Sequence, residues 1–62
     1  MKKVSYQITN NTGFVVSHPQ GAGMARAVLK RLAKVYPQEA PFSLYRTTAI
    51  TTVREELIAT AD

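Results

Sequence analysis

The sequence predicts an α+β fold, β-β-α-β with an optional short C-terminal helix, in which one amphipathic helix packs on a small, mainly antiparallel sheet. Three observations predict it. Residues 3–9 and 42–48 alternate between apolar and polar side chains. Asn10-Asn11-Thr12-Gly13 separates the first alternating run from a second group of β-formers, and residues 22–36 repeat with a helical period that stops at Pro37.

Taken in order, Val4, Tyr6 and Ile8 fall on one side of the first run and Lys3, Ser5, Gln7 and Thr9 on the other, the period-two pattern of a half-buried strand. The Asn-Asn-Thr-Gly segment collects residues that tolerate left-handed backbone or bond their own main chain, and Phe14-Val15-Val16 follows at once, so the two runs form a hairpin. Ser17 and Gln20 have capping-box spacing and Pro19 suits a first turn, but Gly21 and Gly23 weaken so early a start. The helix is therefore placed from about Ala22 to Tyr36. At about 100° per residue, Met24, Ala25, Val28, Leu29, Leu32, Val35 and Tyr36 share one arc, expected to be the core face, and Arg26, Lys30, Arg31 and Lys34 occupy the other, cationic face.

Residues 38–41 connect to a third strand, Phe42-Ser43-Leu44-Tyr45-Arg46-Thr47-Thr48. The C-terminal segment, residues 47–58, admits two readings. Thr52-Val53-Arg54-Glu55 has the form of a capping box, and Val53 and Leu57 are four apart, which favours a short terminal helix; alternatively the threonine-rich run 47–52 prolongs the third strand and the tail frays. Tyr6, Phe14 and Phe42 are assigned to the core by their alternating positions, and Tyr45 is the exposed aromatic.

A chain of 62 residues is one domain, residues 1–62, and a domain of that size buries only about 60% of the surface its unfolded form exposes. Its core is thin. With no cysteine there is neither a disulfide framework nor a thiolate metal site, so stability must come from regular packing or from self-association. Lys2 and Lys3 imitate the charged start of a signal peptide, but residues 4–11 mix polar and apolar side chains, and no run approaches the roughly 18 apolar residues that span a bilayer. A cytoplasmic protein without a membrane role is expected.

The charge distribution carries the functional signal. Lys2, Lys3, Arg26, Lys30, Arg31 and Lys34 give the first 38 residues a charge of +6 with no carboxylate among them; Arg46 and Arg54 against Glu39, Glu55, Glu56 and Asp62 leave −2 in the remainder, for the net +4 of the chain. A field that one-sided favours an anionic partner. Arg26, Lys30 and Lys34 succeed one another at i, i+4, a spacing at which like charges repel by a few tenths of a kcal/mol per pair. Part of that is offset structurally, because Lys30, Arg31 and Lys34 lie toward the helix C-terminus, where the macrodipole favours cations.

Catalytic chemistry finds little footing. His18 is the only histidine, with no cysteine and no nearby acidic residue, and Glu55 and Glu56 are sequence neighbours that a helix would aim about 100° apart. One histidine and four scattered carboxylates give no metal-ligand spacing. Gly21-Ala22-Gly23 at a strand-to-helix junction has the context of a phosphate loop, but it lacks a GK[ST] ending and reads better as a turn or a close helix-to-sheet contact. No catalytic residue, cofactor or metal is expected.

The segment Ala25-Arg26-Ala27-Val28-Leu29-Lys30-Arg31-Leu32-Ala33-Lys34-Val35-Tyr36-Pro37, set between a short hairpin and Phe42-Ser43-Leu44-Tyr45-Arg46, resembles in layout the helix of small phage and prophage accessory proteins. The resemblance covers residues 3–48 and carries no functional residue with it. Such proteins include host-takeover factors and anti-CRISPR inhibitors that block a host nucleoprotein machine, so the likeness implies binding before catalysis. The expectation is a non-enzymatic module whose Arg26, Lys30, Arg31 and Lys34, with Lys2, Lys3 and Tyr45 as further contacts, meet an acidic protein surface of a nucleic-acid-handling machine. Direct binding to nucleic-acid phosphates is the second reading. A small oligomeric enzyme is the third, and it would need a pocket between subunits gathering His18 with Glu55 or Asp62. Homodimerisation is expected through a sheet edge.

Overall fold

The computed structural model describes residues 3–50 and 52–62, and it has the α+β architecture of one helix on an antiparallel sheet. The chain runs β1 (Lys3–Thr9), β2 (Val15–Ser17), α1 (Ala22–Val35), a 3-10 turn (Pro37–Glu39), β3 (Phe42–Ala49) and β4 (Val53–Ala61). The strands lie in the order β2-β1-β3-β4 and every neighbouring pair is antiparallel. Since β2 and β3 both oppose β1, they run the same way, and α1 is the crossover that carries the chain from one to the other past β1.

The hairpin turn is built by asparagine side chains. Asn10 Oδ1 accepts hydrogen bonds from the Thr12 amide at 3.1 Å, the Thr12 hydroxyl at 2.9 Å and the Phe14 amide at 3.0 Å. Gly13 takes φ +86°, a left-handed conformation that a Cβ would disfavour. The same two asparagines fasten the turn to the far connector: Asn10 Nδ2 donates to Glu39 Oε1 at 3.1 Å, the Asn11 amide donates to the Glu39 carbonyl at 2.9 Å, and Asn11 Nδ2 donates to the carbonyls of Gln38 and Ala40, both at 3.2 Å. A polar turn thereby closes one end of the domain.

Helix α1 starts one residue after Gly21, without a side-chain cap, and the Ser17–Gln20 spacing starts no helical turn. It ends as the proline predicts, the Tyr36 amide donating to the Leu32 carbonyl at 2.8 Å before Pro37. The core consists of Ile8 from β1, Phe42 and Leu44 from β3, and Ala25 and Leu29 from α1, with Tyr6, Val28, Leu32, Ala33, Ile58, Ala59 and Ala61 packed around it.

Three expectations are corrected. Residues 53–61 form a fourth strand in place of a terminal helix, pairing with β3 from Ala49↔Val53 to Phe42↔Ala61. The register shifts between Leu44 and Tyr45, opposite Ala59 and Leu57, so Ile58 is an extra residue in a bulge. That bulge breaks the alternation of the tail and hides its strand character from a periodicity reading. The apolar arc of the helix is wider than the strip that touches the sheet, so Met24, Val35 and Tyr36 are exposed. Phe14 is 71% exposed, because it precedes a strand of only three residues at the sheet edge.

Candidate interaction surfaces

Ala25 and Leu29 anchor α1 on the sheet, which turns Arg26, Lys30, Arg31 and Lys34 outward, all four exposed. At 1.5 Å rise per residue the line from Arg26 to Lys34 is about 12 Å long. Among the described residues the single ion pair is Arg46–Glu56 at 3.2 Å, on the sheet, so none of the four helix cations has an acidic partner there. Glu39 is taken by Asn10, and no acid occupies the first turn of the helix. Among the described residues, no acidic side chain is paired with the ridge.

The structure separates the other sequence-predicted contacts from this ridge. Alternation along β1 and β3 places Ile8, Phe42 and Leu44 under the helix, and therefore places Lys3, Gln7 and Tyr45 on the opposite face of the sheet. Lys3 pairs with Ala49 and Tyr45 with Gln7 and Leu57, away from the helix cations. Lys2 lies outside the described residues. A single composite site of helix cations, Lys3 and Tyr45 is therefore not formed. His18 makes no side-chain hydrogen bond to a carboxylate among the described residues. Among those residues there is also no group of three or more metal-ligating side chains. No helix there is long and apolar enough to cross a membrane.

A second surface is not singled out by the sequence. The helix covers only part of its face of the sheet, and beyond Tyr6 the same face continues as Val4, Arg46, Thr48, Ile50, Arg54 and Glu56, which line an open groove of about 450 Å³. Cross-strand register sets its rows: Tyr6–Arg46–Glu56, then Val4–Thr48–Arg54. The signal for it is present within the third strand, where the inward set passes from Phe42 and Leu44 to Arg46 and Thr48. That change marks where the helix stops covering the sheet, and it becomes readable once the face is known.

No protein-family model, curated protein or solved structure matches this chain.

Proposed function

We propose that the protein is a non-enzymatic binding module that docks the outer face of α1 onto an acidic protein surface, as an inhibitor or modulator of a nucleic-acid-handling machine. The observation that carries this reading is the ridge of Arg26, Lys30, Arg31 and Lys34, four exposed cations without an acidic partner among the described residues. Mutual repulsion on a helix is a standing cost that an anionic partner relieves. A protein target is preferred to a nucleic acid because the ridge offers no Asn or Gln for reading base edges and Tyr36, exposed beside Arg31, is the one aromatic next to it, while Tyr45 is on the other side of the sheet.

The test is affinity capture from a nuclease-treated extract of the native host, comparing the natural chain with the Lys30→Glu, Lys34→Glu double variant. The expected result is a protein retained after nuclease treatment, released by rising salt and lost with the double variant, while Lys3→Glu on the opposite face retains it. Capture that disappears on nuclease treatment assigns the ridge to nucleic acid. Capture indifferent to the double variant removes the ridge from the interface.

A further inference from the structure

We propose that the uncovered part of the sheet, the ledge beside α1, is the contact through which two copies of this chain pair face to face. Shape, area and charge each point to a second copy as the occupant.

The shape is a step. A helix with its side chains is about 10–12 Å thick, and packed sheets stand about 10 Å apart, so the ledge of a second copy fits the space beside the helix at the right height. A two-fold axis lying between the sheets and across the strands sets ledge on ledge and leaves the two helices flanking the contact at opposite ends.

The exposed area matches. A folded monomer of 6.8 kDa is expected to expose about 4,000 Å², whereas this chain exposes 4516 Å². Its radius of gyration, 11.7 Å, also exceeds the roughly 10.6 Å expected for 62 residues. A contact that buried this surplus, on the order of 500 Å² per copy, would fall in the small-interface class of transient complexes. The ledge itself carries apolar surface, with Ile50 65% exposed and Val4 40% exposed beside Tyr6.

The charges are self-complementary. Arg46 is paired with Glu56 Oε1, but Arg54 has no acidic partner among the described residues, and exposed Glu56 retains a second carboxylate oxygen. Arg54 and Glu56 are two apart on β4 and share the ledge face. The same two-fold brings Arg54 of one copy over Glu56 of the other, and does so twice. The same operation sets Val4 of one copy against Tyr6 of the other. Pairing through the free edge of β4, the alternative contact between copies, does not use Ile50, which lies outside that strand.

Sedimentation equilibrium between about 5 μM and 1 mM tests the proposal, with circular dichroism confirming that each variant is folded. The natural chain is expected to show a monomer–dimer equilibrium, and Ile50→Asp and Arg54→Glu are each expected to weaken it at least tenfold. Arg54→Glu mixed with Glu56→Arg is expected to restore a dimer, because both contacts then join opposite charges. Since the chain has no cysteine and sheets about 10 Å apart are too far for a direct disulfide, Thr48→Cys on the ledge should be joined between copies by a bismaleimide spacer and Thr47→Cys on the opposite face should not. A monomer at 1 mM, or a dimer whose affinity ignores both Ile50→Asp and Arg54→Glu, overturns the proposal.

Discussion

The two halves of the helix-side face are made by the same strands, yet they are built from different chemistry. Under α1 the cross-strand rows are Ile8–Leu44–Ala59 and Phe42–Ala61; beyond it they are Tyr6–Arg46–Glu56 and Val4–Thr48–Arg54. The first half excludes water with large residues on the central strands and alanines on the outer strand, so the helix can approach closely. The second half mixes aliphatic groups with both signs of charge, which a helix of apolar inward face could not cover without stranding guanidinium groups. The contrast teaches that the length of this helix is matched to the apolar part of the sheet, and that the polar part is left available for something else.

The largest effect that would break this contrast comes from the covered half. Phe42 is 1% exposed within a core of five buried residues, and Phe42→Ala is expected to cost about 3–5 kcal/mol. A domain of this length has a total stability on the order of 3–9 kcal/mol, so thermal or urea denaturation should find the variant largely unfolded or barely cooperative. A Thr48→Ala variant on the ledge should unfold like the natural chain, within about 0.5 kcal/mol. Equal losses at the two positions would mean that the ledge is core as well.

An intermediate effect is expected at the clamp that closes the covered end. Asn10→Ala removes three acceptor contacts within the hairpin turn and the donor to Glu39, and should cost about 1–3 kcal/mol in denaturant unfolding. Glu39→Gln, which keeps an acceptor at the same place, should cost less than about 1 kcal/mol. If Asn10→Ala is neutral, the turn owes its shape to backbone preference alone.

The smallest effect belongs to the ledge ion pair. Arg46 and Glu56 are both substantially exposed, so Glu56→Gln should change stability by less than about 1 kcal/mol, with the difference shrinking as salt rises. A larger loss that persists at high salt would show that the pair is needed to hold β3 and β4 together.

Much of this architecture is legible in the residues. The first strand, the Asn-Asn-Thr-Gly turn and the helix end at Pro37 each rest on a local rule that the fold obeys, because alternation, left-handed turn residues and a proline act through the backbone nearest them. The fourth strand is not legible, since Val53 and Leu57 suit a helix face as well as a strand face and the bulge at Ile58 interrupts the period. Only pairing with the preceding strand, β3, decides between them. The cationic ridge can be read because four residues on one helix share a face by spacing alone. The separation of Lys3 and Tyr45 from that ridge cannot, because it depends on which face of the sheet the helix covers. Phe14, an aromatic left exposed beside a three-residue edge strand, shows the same dependence on tertiary context.

The proposed function depends most on the ridge being uncompensated in the free protein, and Lys30→Glu tests this by two readouts on one variant. The substitution places an acid between Arg26 and Lys34 at i, i+4 on both sides, so it should leave the melting midpoint at low salt unchanged or raised by the equivalent of about 0.5 kcal/mol while weakening partner capture. A variant that instead loses more than about 1 kcal/mol of stability, or that captures its partner as well as the natural chain, would contradict that function by making Lys30 a structural residue or a bystander.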